Sequence, residues 1–419
     1  MTAPAGYRLV SFDETRADEM LSAFTWGFAQ RLDDSGREEI RAMFPWERAR
    51  GVEVADSSRG RVGMLAGVRS THAMELRVPG GGTLPAAGLT WVSVHPSHRR
   101  RGVLSTMMRD HFARARARGQ AVSVLYAAET AIYGRFGYGA ATPHRKIDLG
   151  RAPRLREVPG SEALAVRLES ADVAVHGDAV RAVQRRLTRP GSPVELGDTM
   201  VHEVFSDPLG SYRDAEQTRI AIVEDSDGPA AFAVFRRTMQ WGETGAAGRV
   251  DVHAWGAVDA RATRRLFEAV ADMDLMASCH VVVGGDETLL GLLDDVRGVG
   301  LKERDGMWLR VLDVEAALTG RTYATDIDLV IGITDALLPT NDGAWRLTAS
   351  ADNPARIERT DASCDIRMDV STLSTALLGG TSLTALHAVA RVEECTPGAV
   401  RRASRAFRSD QHPSCNLMF

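Results

Sequence analysis

The chain has 419 residues, which is too long for a single hydrophobic core and predicts roughly two to three domains. Its 51 basic and 55 acidic residues give a net charge of −4, so neither nucleic acid nor an anionic membrane is an expected partner. No apolar run approaches the roughly 20 residues that span a bilayer, and residues 1–16 show no secretory signal. The 4 cysteines lack metal-ligand spacing, which indicates buried thiols in a reducing cytoplasm.

The first segment, residues 1–150, alternates strand and helix patterns. The strand patterns cover Tyr7–Val10, Arg61–Gly67, Ala73–Val78, Leu89–Val94 and Ala121–Tyr126, of which the second and third are predicted to pair. Helix patterns cover Glu14–Gln30 and Arg37–Phe44. The clearest helix follows Gly102 and ends at Gly119. Its inward face repeats with a period of about 3.6 residues, through Leu104, Met107, Met108, His111, Phe112 and Ala115.

The second segment, residues 151–302, begins with a linker and then repeats the order strand, loop, helix, strand. The patterns are strands at Ala230–Arg236, Arg249–Ala254 and Cys279–Val283 and a helical stripe of Leu266, Val270 and Met273. Asp259 stands near the start of this helix, and no glycine or arginine-rich turn precedes it. We interpret the segment as a second copy of the first fold that has lost its site. An unrelated α+β domain is the alternative.

The third segment, residues 303–419, alternates apolar and polar residues in a way that predicts a half-buried antiparallel sheet. The strand patterns are Thr325–Thr334, Trp345–Ser350 and Ile366–Val370, and the helix patterns are Leu373–Leu378, Leu383–Val392 and Ala399–Phe407. The chain ends Cys415-Asn-Leu-Met-Phe419, an apolar terminus with no polar tail. An apolar terminus predicts burial, and its α-carboxylate would be buried with it.

The stretch Val92–Leu104 carries the strongest chemical signal. A strand leads into a tight turn and then into the start of a helix, where several backbone N–H groups have no partner within the helix. These groups and the helix dipole attract anions such as pyrophosphate, and Gly102 lets a ligand approach the backbone closely. Arg99, Arg100 and Arg101 add positive charge. The alternative is a solvated helix terminus with chance arginines.

This stretch resembles the acetyl-CoA-binding motif of the GCN5-related N-acetyltransferases, Arg/Gln-x-x-Gly-x-Gly/Ala, with Arg99, Gly102 and Leu104 at the three marked positions. Leu104 departs from the small third residue. The resemblance implies acetyl-CoA as co-substrate, with its pantetheine amides on the strand backbone and its pyrophosphate at the helix start. The implied coenzyme-binding set is Val92, Ser93, Val94, Arg99, Arg100, Arg101, Gly102, Val103, Leu104 and Ser105.

Three flanking runs sharpen this resemblance, namely Leu84–Leu89, Val94–Gly102 and Ile132–Gly139. Together they closely resemble the Eis (enhanced intracellular survival) family of N-acetyltransferases, and the likeness covers the whole chain. It implies an α+β fold with a catalytic acetyltransferase domain at 1–150, a degenerate acetyltransferase-like domain at 151–302 and a sterol-carrier-like domain at 303–419. It also implies a homo-hexamer that acetylates primary amines of small molecules, aminoglycosides among them.

The resemblance assigns the acid of the reaction to Tyr133, which would give a proton to the leaving thiolate. A tyrosine with a pKa of about 10 is able to supply that proton. Ala128 and Glu129 would border the thioester end of the coenzyme. Tyr126 and Tyr138 are the rival acids, and packing under the glycine-rich loop is the alternative for Tyr133. The alternative for Glu129 is a cap on the short helix that follows it.

The resemblance assigns the base to the α-carboxylate of Phe419. Its reference pKa of about 3.5 is too low in water, and burial beside Leu417 and Met418 would raise it. The alternative is a simple anchor, in which the terminus fills the interface between domains.

Phe24, Trp26 and Trp91, together with Met418, are predicted to line the amine site, although the three aromatic residues equally suit a hydrophobic core. Family members that act on polycationic aminoglycosides can carry an acid where this chain has Met418, so a less acidic pocket is predicted. The run His95–His98 has metal-like spacing but no third ligand nearby, so no metal is expected.

Two other classes of function compete with the enzyme. A lipid-binding carrier would work through residues 303–419, because sterol-carrier folds bind apolar ligands. A non-catalytic acyl-CoA sensor would explain the relaxed motif at Leu104, but the presence of Tyr133 and Phe419 disfavours it.

Overall fold

A computed structural model of the chain describes residues 3–207, 214–285, 287–350 and 353–419. The strands are β1 (Tyr7–Ser11), β2 (Arg50–Val54), β3 (Leu65–Arg77), β4 (Thr83–Val94), β5 (Val122–Tyr126), β6 (Gly139–Ala140), β7 (Pro143–Asp148), β8 (Ala165–Ser170), β9 (Arg219–Asp225), β10 (Gly228–Thr238), β11 (Trp241–Gly242), β12 (Gly245–Ala246), β13 (Gly248–Ala257), β14 (Met276–Val282), β15 (Lys302–Asp305), β16 (Met307–Val311), β17 (Ile327–Thr334), β18 (Gly343–Ser350), β19 (Asn353–Arg359), β20 (Ile366–Asp369) and β21 (Val392–Glu394). The α-helices are α1 (Ala17–Phe28), α2 (Asp34–Met43), α3 (Val103–Ala117), α4 (Thr130–Tyr133), α5 (Val173–Arg186), α6 (Asp198–Phe205), α7 (Ala260–Ala271), α8 (Glu287–Leu292), α9 (Val314–Thr319), α10 (Val370–Ala376), α11 (Leu383–Ala388) and α12 (Ala399–Phe407).

The strands form three main sheets. The first has the order β1-β2-β3-β4-β5-β16-β6, the second β15-β7-β14-β13-β10-β9-β8 and the third β19-β18-β17-β20-β21, and β11 pairs with β12 in a small ribbon. None of the helices in the described ranges is long and apolar enough to cross a membrane.

The first two sheets exchange a strand across the predicted domain boundaries at 150 and 302. Strand β16 lies between β5 and β6 in the first sheet, although it follows the strands of the second sheet in the chain. Strand β7 lies between β15 and β14 in the second sheet, although it follows the strands of the first. No single cut in the chain therefore separates these two sheets.

Two strand predictions need correction. Arg61–Gly67 does not pair with Ala73–Val78, because Leu65–Gly67 and Ala73–Arg77 lie in the single strand β3, which pairs with β4 through the turn at Gly80–Gly82. The third sheet is not wholly antiparallel, because β17 and β20 run parallel. Alternation of apolar and polar residues reports which face is buried, not the direction of the neighbouring strand.

Buried side chains from all three segments form one continuous core. It contains, among others, Leu76 and Val122 of the first segment, Val183 and Phe232 of the second, and Leu329 and Leu417 of the third. An ion pair reinforces this packing, because Arg310 of β16 donates twice to Asp335 at 2.7 Å and both side chains are buried. The third segment is thereby attached directly to the first sheet.

Candidate active site

Strands β4 and β5 separate at the point where the coenzyme motif begins. They pair in parallel over three residues of β4, Ala86–Gly88. Farther along, β4 carries a β-bulge, in which Trp91 and Val92 oppose one residue of β3 and Trp91 has a left-handed φ of 57°. The ends of β4 beyond Gly88 and of β5 beyond Val124 are consequently unpaired with each other, and we call the opening between them the first gap.

Helix α3 begins directly after the turn that follows β4. Gly102, at its N-cap, has a φ of 79°, a left-handed conformation that glycine adopts without strain. No side chain among the described residues caps the helix, so the N–H groups of Val103, Leu104 and Ser105 have no intrahelical partner. The first N–H group with such a partner is that of Thr106, which donates to the Gly102 carbonyl oxygen at 2.9 Å. An uncapped helix terminus of this kind can bind an anion.

Arg99, Arg100 and Arg101 are all exposed beside this terminus. The turn that carries them is attached to β1, because Nδ1 of the buried His98 lies 2.9 Å from the Tyr7 hydroxyl. Burial lowers the pKa of His98, so the arginines supply the positive charge of the turn at neutral pH. Within the described ranges, no group of three His, Cys, Asp or Glu side chains is arranged to hold a metal ion.

The side chains of the predicted coenzyme strand pack against the protein. The hydroxyl of Ser93 donates to the Ala23 carbonyl oxygen of α1 at 2.7 Å. Val92 and Leu104 pack against the apolar cluster that contains Tyr133. The bulky side chain of Leu104 therefore contributes to apolar packing, while its backbone N–H group stays available.

Tyr133 is buried in a cluster with Leu89 and Leu125, which belong to the two strands that border the first gap. Burial, followed by the charge of Glu129, raises the pKa of Tyr133 to about 12, so its hydroxyl is protonated at neutral pH. That hydroxyl makes no hydrogen bond to another described residue. Ala128 and Glu129 are exposed, and the Glu129 side chain does not cap α4.

The two rival tyrosines use their hydroxyls in structural hydrogen bonds. The hydroxyl of Tyr138 lies 2.7 Å from Ser123 Oγ, which also lies 2.7 Å from His111 Nε2, and all three residues are buried. The hydroxyl of Tyr126 donates to the Leu417 carbonyl oxygen at 3.0 Å. Burial raises the pKa of both tyrosines well above the ordinary value.

Phe419, the terminal residue, reaches the point where β4 and β5 separate. A Cβ atom on Gly88 would lie 3.1 Å from its ring. Its ring centroid lies 5.5 Å from that of Tyr126 and 6.3 Å from that of His72. Met418, by contrast, is 56% exposed. The apolar C-terminus is thus buried in part, and it is buried against the first sheet.

Tyr133 and Phe419 lie on opposite faces of the first sheet. Successive side chains of a strand point to opposite faces. Leu125 packs with Tyr133, whereas its neighbour Tyr126 contacts Phe419. The phenol and the terminal residue therefore border the first gap from its two sides.

The predicted aromatic residues of the amine site divide into two groups. Phe24 is buried and packs on Trp91, with ring centroids 4.7 Å apart, so these two belong to a core beside the first gap. The indole N–H of Trp91 is buried and has no acceptor among the described residues. Trp26 is 61% exposed and lies 5.2 Å from the His95 ring, at the surface of the coenzyme turn.

The structure adds a group that the sequence did not indicate. His72 pairs with Gly88 in the register of β3 and β4, so its ring lies on the same face as Phe419. Its Nδ1 is 3.2 Å from the Thr199 hydroxyl, and its Nε2 is 3.4 Å from a carboxylate oxygen of Glu203 in α6. No motif could have revealed this group, because only the packing of α6 against the first sheet assembles it.

Comparison with protein families agrees with this architecture. Residues 8–141 and residues 203–311 each match an acetyltransferase (GNAT) domain, and residues 314–416 match a sterol carrier protein domain. The fold and the first gap define the class of GCN5-related N-acetyltransferases, enzymes that use acetyl-CoA. This confirms the predicted α+β fold with two acetyltransferase-like domains and a sterol-carrier-like domain, and it confirms the predicted enzyme class.

Individual relatives narrow the class further. The N-acetyltransferase Eis of Mycobacterium tuberculosis is 30% identical over 94% of this chain and 95% of its own length. An uncharacterized N-acetyltransferase of Streptomyces avermitilis is 37% identical over 94% of this chain and 93% of its own. The crystal structure of Eis1 from Mycobacterium abscessus superposes with a TM-score of 0.79 and 28% identity, covering 99% of this chain and 100% of that one. The chain belongs to the Eis family of N-acetyltransferases.

Proposed function

We propose that the protein transfers the acetyl group of acetyl-CoA directly to a primary amine of a small molecule while both substrates are bound. The observation that carries this proposal is the position of Phe419, which contacts Gly88 where β4 and β5 separate, on the face opposite Tyr133. A thioester in the first gap would have an acid on one side and a carboxylate on the other.

The residues around the first gap fit acetyl-CoA. Its pyrophosphate would accept hydrogen bonds from the free N–H groups of Val103–Ser105, with Arg99–Arg101 supplying positive charge. Its pantetheine arm would lie along the unpaired edge of Val92–Val94. Ala128 and Glu129 would border the thioester end, because both are exposed directly after β5.

The two catalytic groups divide the proton transfers between them. The α-carboxylate of Phe419 takes a proton from the substrate ammonium, and the free amine attacks the thioester carbon to form the C–N bond. As the C–S bond breaks, the Tyr133 hydroxyl gives its proton to the sulfur. The phenolate then takes the surplus proton from the nitrogen of the new amide, so Tyr133 is restored, and the carboxylate returns its proton to water.

The substrate we propose is a small primary amine, with aminoglycosides as one candidate class. Family members that act on polycations can carry an acid at the position of Met418, and its absence here favours amines of lower charge. The homo-hexamer is proposed on the family resemblance. The cytoplasmic location is proposed on the 4 free cysteines, which suit a reducing compartment. Only Cys279 and Cys415 are buried as expected, whereas Cys364 is half-buried and Cys395 is exposed.

An amine panel tests the function. The purified protein is mixed with acetyl-CoA, a thiol reagent and, separately, aminoglycosides, arylalkylamines and short diamines. Thiol release that depends on an amine is expected. Extraction of lipid without turnover would instead support the carrier, and coenzyme binding with neither result would support the sensor.

The length of the C-terminus tests the carboxylate. One glycine added after Phe419 moves the carboxylate by about 3.5 Å, which exceeds the range of roughly 2.6–3.2 Å for a proton-transferring hydrogen bond. Extension and deletion of Phe419 are both expected to remove most of kcat without preventing acetyl-CoA binding, with Phe419→Leu intermediate. A tag at the N-terminus is the matched control and should leave kcat unchanged. If the terminus is only an anchor, deletion of Phe419 and Phe419→Leu would lower Tm and activity in step. An extended protein with normal Tm and kcat would refute the carboxylate as the base.

A further inference from the structure

The second sheet opens in the same way as the first. Strands β13 and β14 run parallel and pair as far as Val252 and Val281. Beyond these residues, Trp255–Ala257 and Val282–Val283 border an opening that we call the second gap. In the first sheet, the equivalent opening is the one proposed to receive the pantetheine arm of the coenzyme.

Ser414 and Asn416 of the C-terminal tail of the same chain, Pro413–Phe419, line the second gap. The side-chain amide of Asn416 donates to the Trp255 carbonyl oxygen at 2.9 Å and to Gln184 Oε1 at 3.1 Å. Its own oxygen accepts from Gln184 Nε2 at 3.1 Å. Both amide donors and the amide oxygen of Asn416 are thus satisfied by Gln184 and Trp255 of the second acetyltransferase-like domain, residues 151–302, which we call the middle domain.

Further contacts on either side of Asn416 bind the tail. The Ser414 N–H group donates to the Pro190 carbonyl oxygen at 2.8 Å, and Ser414 Oγ accepts from the Gly285 N–H group at 3.2 Å. A Cβ atom on Gly285 would lie 1.9 Å from the Pro413 carbonyl oxygen, so only glycine admits the tail here. The middle domain therefore binds residues 413–416.

The first domain binds the rest of the tail. The Leu417 carbonyl oxygen accepts from the Tyr126 hydroxyl at 3.0 Å, and the Phe419 ring lies against Gly88. Only three residues separate Asn416 from the terminal carboxylate. A shift of Asn416 would consequently disturb these two contacts and, through them, the position of the carboxylate.

We propose that the middle domain uses its second gap to hold the tail, and that Asn416 and Gln184 are positioning residues for the Phe419 carboxylate. The proposal rests on the proposed function, in which that carboxylate is the base. Proton transfer requires a donor–acceptor separation of roughly 2.6–3.2 Å, so a tail that is free to move would rarely present the carboxylate correctly. The lost coenzyme site of the second copy has thereby gained a role in the reaction of the first.

The substitution Asn416→Asp tests this proposal with little change in size. The carboxylate would still accept from Gln184, but it cannot donate to the Trp255 carbonyl oxygen and would repel it. We expect kcat to fall roughly 10- to 100-fold while KM for acetyl-CoA stays within a few-fold, because the coenzyme site is in the first domain. We also expect carboxypeptidase A to release Phe419 several-fold faster than from the wild type. His412→Ala, an exposed change directly before the tail, is the control and should match the wild type in both measurements.

Asn416→Ala repeats the test without a new charge, in case the aspartate variant fails to fold. Unchanged kcat with unchanged release of Phe419 would overturn the proposal. Faster release with unchanged kcat would overturn the positioning role alone, and so would a loss of kcat that merely follows a lower Tm. Full turnover in the glycine-extended protein would remove the carboxylate as base, and the positioning role would fall with the proposed function.

Discussion

At the scale of single residues, Tyr133 and Tyr138 form a natural comparison. Their ring centroids lie 5.8 Å apart and burial raises the pKa of both. Their hydroxyls differ, because that of Tyr138 is bonded to Ser123 at 2.7 Å, whereas that of Tyr133 makes no hydrogen bond to another described residue. A proton donor needs a hydroxyl that is free to meet the substrate, and Tyr133 alone of the two has one.

Tyr133→Phe is expected to lower kcat by roughly 10²–10⁴-fold, the usual contribution of general acid catalysis, with KM for acetyl-CoA within a few-fold. Tm should stay close to the wild-type value, because no hydrogen bond to a described residue is lost. Tyr138→Phe is the matched control. It should leave kcat largely intact and lower stability by about 1–3 kcal/mol, since Ser123 loses a buried partner. Steady-state kinetics and thermal unfolding of both variants decide the matter, and full turnover of Tyr133→Phe would assign the proton to another group or to water.

The sequence indicated the residues of the site that lie within one motif or its flanks. The turn at Gly102 and the run that contains Tyr133 are short continuous stretches, so spacing and family resemblance reveal them. His72 and Asn416 were not found, because their partners come from α6, α5 and β13, far away in the chain. Contacts of that kind follow from packing between domains and have no local pattern.

At the scale of elements, helix α3 has a left-handed glycine at each end. Gly102 has a φ of 79° and Gly119 a φ of 73°. A Cβ atom on Gly102 would meet Pro4 at 3.0 Å, whereas one on Gly119 would meet nothing within 4 Å. Any other residue would therefore be strained in the backbone at both positions, but only at Gly102 would its side chain also meet a neighbouring residue.

Gly102→Glu is expected to abolish acetyl-CoA binding, because it places a side chain and a negative charge where the pyrophosphate is proposed to bind. Gly119→Glu carries the same charge and a similar left-handed cost of roughly 1–2 kcal/mol, and it should bind acetyl-CoA like the wild type. Calorimetric titration measures both. Wild-type affinity in Gly102→Glu would remove the phosphate site from this helix terminus.

Helix α7, which packs on the second sheet, has a capped N-terminus, whereas no side chain among the described residues caps the N-terminus of α3. Asp259 caps it by accepting from the Ala262 N–H group at 2.8 Å, so its charge lies where a phosphate would bind. We expect one acetyl-CoA per chain in a calorimetric titration. Asp259→Gly should not add a second site, because Asn416 still lines the second gap; a stoichiometry near two in either protein would contradict this reading of the middle domain.

Periodicity predicted the core-facing elements well and their neighbours poorly. The stripe from Leu104 to Ala115 lies within α3, and the alternating run Thr325–Thr334 lies around β17. The parallel partner of β17 and the bulge at Trp91 were not foreseen. The parallel partner and the bulge both depend on which strand lies next to the one concerned. The tertiary fold, not the local sequence, determines that neighbour.

At the scale of the whole molecule, the exchange of β7 and β16 makes the first two domains depend on each other. Met307, Leu309 and Val311 of β16 are fully buried in the first sheet beside β5. No local pattern could assign this strand to residues that precede it by almost two hundred positions. Helix and strand patterns thus predicted three segments in the correct order, but the composition of the sheets required the structure.

A chain that ends at residue 150 is expected to show no cooperative thermal transition and no acetyl-CoA binding. Without β16 it exposes the edge of β5 and an apolar face, which favours aggregation over folding. The structure offers a matched repair, because the Gly306 N–H group donates to the Thr142 carbonyl oxygen at 2.9 Å. Residues 1–142 can therefore be joined through a short glycine linker to residues 306–313.

This joined chain should regain a cooperative transition, which circular dichroism on heating would detect, since β5 and β6 recover the strand between them. A cooperative transition and wild-type affinity for acetyl-CoA in residues 1–150 alone would show that β16 is dispensable. The joined chain replaces residues 143–150, which contain β7 of the second sheet, by residues 306–313, so only the joined chain restores β16 to the first sheet. If the joined chain regains the transition, the catalytic domain includes β16, because its extent depends on which strands pair with β5 and not on the order of residues in the chain.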